Sequence, residues 1–231
     1  MNILYEGTLK QNKQTFKVTP LSLHHIEQIL SVQDDVIEAL ENKESLQPLT
    51  LEEFQNILTG NGFMIGAFAD EQLIAFRALL VPPIDEEHLG FDIGLQGEEL
   101  ERVIYQEVSN VHPTYRGNGM QKILAKVIMD QLQQTDSKYN YVCCTVAPFN
   151  IPSLKDKFAQ GMEVAALKEK YSDLLRYVFV KELKSERQRE WVNVEELLMS
   201  DIAGQKRLLA EGHRGYEMEF RDGEYWVWFG K

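Results

Sequence analysis

Thiol chemistry is nearly absent from this chain, which has only Cys143 and Cys144, side by side. Adjacent residues on a strand point to opposite faces, so the pair suits neither a metal site nor an easy disulfide and reads as two small buried hydrophobes. Positive charge is scarce as well: 24 Lys and Arg stand against 36 Asp and Glu, a formal net charge of -12 with a sequence pI ≈ 4.9. Nucleic acid and anionic membranes both need a basic face, so neither is an expected partner. No apolar run is long enough to cross a bilayer. The opening Met-Asn-Ile-Leu-Tyr-Glu lacks the charged and apolar regions of a signal peptide, and a reducing cytoplasm is the expected location. There is no internal repeat, no Gly-Lys-Ser/Thr after a glycine turn, no three-glycine dinucleotide fingerprint and no Gly-x-Ser-x-Gly elbow. No metal is expected.

What is present can fold. Of the 231 residues, 44% are hydrophobic, enough for one large core or for a main domain with an appendage. The organising stretch runs from Val108 to Asn150 and reads strand, glycine turn, helix, strand and loop. Arg116, Gly117, Asn118 and Gly119 form the turn. The helix opens at Met120 and runs to Gln133, and Ile123, Leu124, Val127, Ile128 and Leu132 give it one apolar face. Arg116, Lys122 and Lys126 stay on the other side. Gly117 and Gly119 can take positive φ and admit an anion close to the backbone, and the helix dipole favours negative charge there. Such a turn serves either a tight connection or a phosphate.

The same residues carry a family resemblance. Val111-His-Pro-Thr-Tyr-Arg-Gly-Asn-Gly-Met-Gln-Lys-Ile-Leu124 resembles the acyl-CoA-binding signature of the GNAT N-acetyltransferase superfamily. After the next strand, Val146-Ala-Pro-Phe-Asn150, Ser153 and Gly161-Met162 look like that family's second motif, in the right order and separation. The resemblance covers Val108 to Met162 by motif and about Phe16 to Val180 by element order. It implies acetyl-CoA as co-substrate, with its pyrophosphate on the N–H groups of Arg116, Gly117, Asn118, Gly119, Met120 and Gln121. It further implies a thioester polarised by the backbone around Asn110 and Val111, and a cofactor arm or departing sulfur anchored by Asn150, with Ser153 beside it. Two positions depart from the pattern. The family usually has a second small residue at Gln121, and many members have a tyrosine general acid at Lys157. The proton donor to the leaving thiolate is therefore unassigned, Tyr105 and Tyr141 being candidates without a specific signal.

Transfer to an amine needs a base, and Glu107 is the candidate. It is the acidic residue of the strand Arg102 to Val111, and period-two alternation would set it on one face with Ser109 and Val111. An outward surface glutamate reads equally well.

Phe16 to Leu21 is a strand; Ser22 caps a helix with apolar Leu23, Ile26, Leu30, Ile37 and Leu40; and His24 and His25 are surface or packing residues. Thr50 with Glu53 forms a capping box for a short helix through Leu58, stopped by Gly60-Asn-Gly62. Phe63 to Ala69 and Gln72 to Leu80 form a hairpin around Asp70-Glu71. From Val81 to Glu101 the pattern is too polar and glycine-rich for a core element, and its acids, Asp85, Glu86, Glu87, Asp92, Glu98 and Glu99, either attract a cationic amine or are simply solvated. After Asn150 comes a short helix to Gly161, then strands Val164 to Tyr171 and Leu174 to Leu183 around Ser172-Asp173. Ser185 to Glu190 is a charged hinge, Val194 to Ala210 one helix or two broken near Gly204, and Tyr216 to Phe220 with Tyr225 to Phe229 a hairpin whose second strand is apolar on both faces. That strand needs cover from an intramolecular sheet or from a homodimer contact through the aromatic hairpin.

Together these elements predict an α/β fold: a mixed, mostly antiparallel, GNAT-like central sheet flanked by helices, with a C-terminal helix plus β-hairpin extension. The expected domains are 1–184 and 185–231. The implied function is acetyl transfer from acetyl-CoA to a primary amine of a small molecule or peptide. The alternatives are a non-catalytic acyl-CoA-binding module and an assembly protein driven by the aromatic tail.

Overall fold

A computed structural model of the chain describes residues 2–41, 46–135, 138–171, 173–184 and 190–231. The charged hinge, apart from Glu190, and Ser172 of the expected turn lie outside the described residues. Residues 1–82 with 105–138 form one compact unit, and residues 83–104 with 139–231 form another.

In the first unit, five strands pair in sequence order, all antiparallel: β1 (Tyr5–Thr8), β2 (Thr15–Pro20), β3 (Gly62–Ala69), β4 (Gln72–Leu80) and β5 (Val103–Val111). The β3–β4 hairpin closes without glycine because Asp70 and Glu71 both adopt left-handed φ, 46° and 66°. After a single 3-10 turn at Leu23–His25 comes α1 (Ile26–Glu38), so Leu23, expected in the core, is 45% exposed. His25 is a structural residue, its Nδ1 3.0 Å from the Ser22 N–H. The capping box of α2 (Leu51–Asn56) forms as read, with Glu53 reaching back to the Thr50 N–H at 2.7 Å. Ile29 and Val32 of α1 and Phe54 of α2 meet Met64, Phe76, Ala78 and Val108 in one core. The last helix of this unit, α4 (Met120–Gln134), buries Leu124, Val127, Ile128 and Leu132, as its periodicity predicts.

The second unit is a sheet in which β6 (Tyr141–Val146), β8 (Leu174–Glu182), β7 (Glu163–Lys170), β10 (Arg214–Arg221), β11 (Glu224–Gly230) and β9 (Glu195–Leu198) are successive antiparallel neighbours. Three expectations are corrected here. Residues 83–104 do hold core: Leu89 in α3 (Leu89–Asp92), Leu95 and Leu100 are buried at irregular spacing that no period reveals. Of their acids, Asp92 takes ion pairs from Lys168 at 2.7 Å and Lys170 at 2.8 Å, fastening the segment to β7, while Glu86, Glu98 and Glu99 are exposed. The start of the expected C-terminal helix is strand β9, and α6 (Ile202–Ala210) begins later. Gly204 does not break that helix. It lies in the first turn, where its N–H bonds Asp201 Oδ1 at 2.9 Å and a Cβ would collide with the same carboxylate. Val227 and Phe229 of β11 pack on Leu208 of α6, while Trp226 and Trp228 on the opposite face stay half-buried. Cys143 and Cys144 are buried and free, and burial pushes the Cys143 thiol up.

Candidate active site

The site begins with a fault in the β4–β5 ladder. Ala78 pairs with Val108 and Leu79 with Gln106, leaving Glu107 as the extra residue of a β-bulge. The bulge switches faces. Val108 packs in the core beneath α1 and α2, whereas Gln106, two residues earlier, accepts a hydrogen bond from Arg77 Nη2 at 2.7 Å. Arg77 Nη1 in turn donates to the Gln121 carbonyl, in the first turn of α4, at 3.2 Å. The alternation expected for Glu107 is therefore corrected. Ser109 is paired with Arg77 on the α4 side, and Glu107 lies within the field of Glu53 from α2.

That setting changes Glu107. Burial first, and the nearby Glu53 second, raise its carboxyl to about 7. A carboxylate so placed gives up and takes a proton near neutral pH, as a general base must. Just past the bulge, Ser109 Oγ and Asn110 Nδ2 are buried without a hydrogen-bond partner among the described residues. Buried polar atoms are normally paired, so this end of β5, with Val111 half-buried beside it, suits a bound ligand.

β5 leads through His112, whose Nε2 is 3.3 Å from Asp35 of α1, into a 3-10 turn at Pro113–Tyr115 and then the glycine turn. Gly117 and Gly119 have φ of 80° and 77° and are exposed, so the close approach read from sequence is available. Gly119 is the N-cap of α4 and brings no side chain to cap it. The N–H groups of Met120, Gln121 and Lys122 thus have no intrahelical acceptor, and the helix dipole points its positive end at the same spot. Arg116 is exposed beside them. The side chains of Asn118 and Met120 do other work: Met120 is 2% exposed in the core, and Asn118, 3% exposed, accepts from the N–H of Lys10 at 2.8 Å and donates to the Tyr115 carbonyl at 3.0 Å. Main-chain N–H groups are what these two residues offer a phosphate.

In the second unit, Asn150 is the N-cap of α5 (Ile151–Ala159), its Oδ1 accepting from the Ser153 N–H at 3.2 Å. The two residues of the second motif are thus joined to each other. Lys157, where many members of the family have tyrosine, is 8% exposed with Nζ 3.3 Å from Asp156. Tyr141 is held protonated above its ordinary range by burial and then by Glu99 and Glu182. Among the described residues there is no cluster of three metal-ligating side chains, and no helix long and apolar enough to cross a membrane.

Arg77 and the Lys10–Gln11 segment were not found by sequence reasoning. Arg77 left a trace, a lone cation in a nine-residue strand of otherwise apolar character; Lys10 left none.

No family model and no curated protein matches the chain. By structure it is similar to Arabidopsis thaliana NAA60 in complex with acetyl-CoA, at 18% identity and TM-score 0.59, over 74% of this chain and 99% of that one. It is also similar to the GNAT domain of S. lividans PAT, at 15% identity and TM-score 0.55, over 78% and 96%. The ribosomal-protein-S18-alanine N-acetyltransferase from Escherichia coli aligns at 11% identity and TM-score 0.55, over 77% and 99%. With its largely antiparallel strands, flanking helices and glycine turn at the start of α4, this chain has the fold of the GNAT N-acetyltransferase superfamily.

Proposed function

We propose that the protein transfers an acetyl group from acetyl-CoA to a primary amine of a small molecule or peptide. The observation that carries this reading is one strand, β5, holding a carboxyl raised to about 7 at its bulge and leading directly into a glycine turn without a side-chain cap. Fold neighbours with acetyl-CoA or coenzyme A support the co-substrate. A neighbour named for acetylating an alanine of a ribosomal protein supports a peptide amine among the acceptors.

In this reading acetyl-CoA supplies an activated thioester carbonyl. The chain's own residues do the rest. N–H groups from Arg116 to Gln121 hold the diphosphate, the backbone at Asn110 and Val111 faces the carbonyl oxygen, and Asn150 with Ser153 serves the cofactor arm. Glu107 takes one proton of the acceptor's ammonium, so that the neutral amine forms the amide bond as the carbon–sulfur bond breaks, and a second proton shed by the nitrogen passes to the departing sulfur, which leaves as the thiol. A second reading, acyl-CoA binding without turnover, is favoured by Lys157, which stands where many members of the family place their proton donor.

Thiol release from acetyl-CoA against a panel of amines separates the two. With an accepted amine, the rate rises with pH through a midpoint near 7, where Glu107 loses its proton. Glu107→Gln lowers kcat by about 10²- to 10³-fold, abolishes that limb and leaves CoA affinity unchanged. The linkage has the opposite sense for stability. The folded state holds this proton more tightly than the unfolded chain, whose glutamate titrates at 4.5, so the wild type loses stability as pH rises from there toward 7. Glu107→Gln lacks that loss and is the more stable protein at pH 8, by on the order of 2 kcal/mol in urea unfolding. Equal pH dependence in the two proteins excludes Glu107 as the base.

A further inference from the structure

The glycine turn is completed by a part of the chain that no motif announced. The tip of the β1–β2 hairpin lies against it: Asn118 Oδ1 accepts from the N–H groups of Lys10 at 2.8 Å and Gln11 at 3.3 Å, and Gln11 Nε2 donates to the Arg116 carbonyl at 3.1 Å. The tip is itself held in place. Leu9 is 1% exposed, its N–H bonds the Gln14 carbonyl at 2.8 Å, and Gln14 Nε2 donates to Asp70 Oδ2 in the β3–β4 turn at 2.7 Å.

This geometry carries a charge to the turn. A Cβ built on Gly119 would have Lys10 Nζ as its nearest neighbour, 3.7 Å away. Lys17 pairs with Glu6 and Lys126 with Asp130, whereas Lys10, like Lys13 and Lys122, pairs with no carboxylate among the described residues, and Lys10 is the one whose ammonium is nearest Gly119. On a chain of net charge -12, whose field repels anions at a distance, an ammonium left uncommitted beside two left-handed glycines and an uncapped helix is a local exception.

Resting on the acyl-CoA reading above, we propose that Lys10 binds the diphosphate of the CoA carrier, so that the N-terminal hairpin is a working part of the cofactor site. The main-chain N–H groups set the position of the diphosphate, and Lys10 neutralises charge that the N–H groups cannot. Gln11 and Asn118 act by positioning the hairpin tip.

The test is calorimetry of the full chain with CoA and with 3′-dephospho-CoA. Lys10→Ala weakens both by the same factor, about tenfold, and flattens the salt dependence of binding. Lys10→Arg stays within about threefold of wild type, as does Lys13→Gln, which removes the same charge elsewhere on the hairpin. Because Lys10 is exposed, its variants keep the wild-type Tm. A Lys10→Ala protein that binds both ligands as wild type does overturns the proposal. So does a loss seen with CoA but absent with 3′-dephospho-CoA, which would assign the lysine to the 3′-phosphate. A wild type that binds neither ligand overturns the acyl-CoA reading as well, an outcome distinct from the other two.

Discussion

α4 and α5 each follow a strand by a short loop, and they begin in opposite ways. At α5, Asn150 turns its own oxygen onto the Ser153 N–H and closes the first turn. At α4, glycine stands at the cap, the N–H groups stay open, and the Asn118 side chain beside them is spent on the neighbouring hairpin instead. A capped end is complete as protein structure, whereas an uncapped one awaits an acceptor from elsewhere. The two motifs therefore differ in kind: the first leaves main-chain donors without a side-chain cap, while the second spends the Asn150 side chain on one.

Substitutions sharpen or break this contrast. The largest effect is expected beneath the open end, where Arg77, 1% exposed, ties Gln106 to the carbonyl of Gln121. Arg77→Leu costs about 3 kcal/mol in urea unfolding, since it removes charge-assisted bonds and strands their acceptors. A loss under about 1 kcal/mol would mean that the start of α4 needs no support from below. Next comes Gly119→Val, which forces a branched side chain into φ of 77° and weakens CoA about 30-fold by calorimetry, while Gly119→Asn, tolerant of that region, stays within about fivefold. The smallest effect belongs to the closed end. Asn150→Ala loses about 1 kcal/mol of stability through the cap, with CoA only about threefold weaker, and Asn150→Asp keeps the stability because it keeps the acceptor. If Asn150→Ala instead matched Gly119→Val in lost affinity at unchanged stability, the distinction between the two helix starts would be gone.

Much of this was legible in residue order, and the exceptions share a cause. The α4 stripe, the Thr50 capping box and the β3–β4 hairpin are local patterns, each decided within a few residues by spacing or by one side chain. The glycine turn was local too. The position of Glu107 was not, because a bulge is a property of two strands and only the partner, β4, reveals which residue goes unpaired. β1 was missed for a related reason: Tyr5-Glu-Gly-Thr8 is short and mostly exposed, and it is a strand only because β2 lies beside it. Glu195-Glu-Leu-Leu198 misled in the other direction, since helix-forming residues were drawn into β9 by the free edge of β11. Leu89, Leu95 and Leu100 were hidden among acids, of which Asp92 has its charge taken up by Lys168 and Lys170, far from it in sequence.

The bulge at Glu107 also governs how β5 tolerates change. Because the strand feeds an apolar layer with Val108 and a polar one with Gln106, its two halves are wound half a turn out of phase about one residue. Deleting Glu107 would leave Gln106 opposite Leu79, whereas drawing Glu107 into a regular ladder opposite Leu79 would roll the first half over, offering Gln106's amide to the oily side and stranding the guanidinium that waits for it. Length at this point in the chain is as much a part of the chemistry as any side chain is.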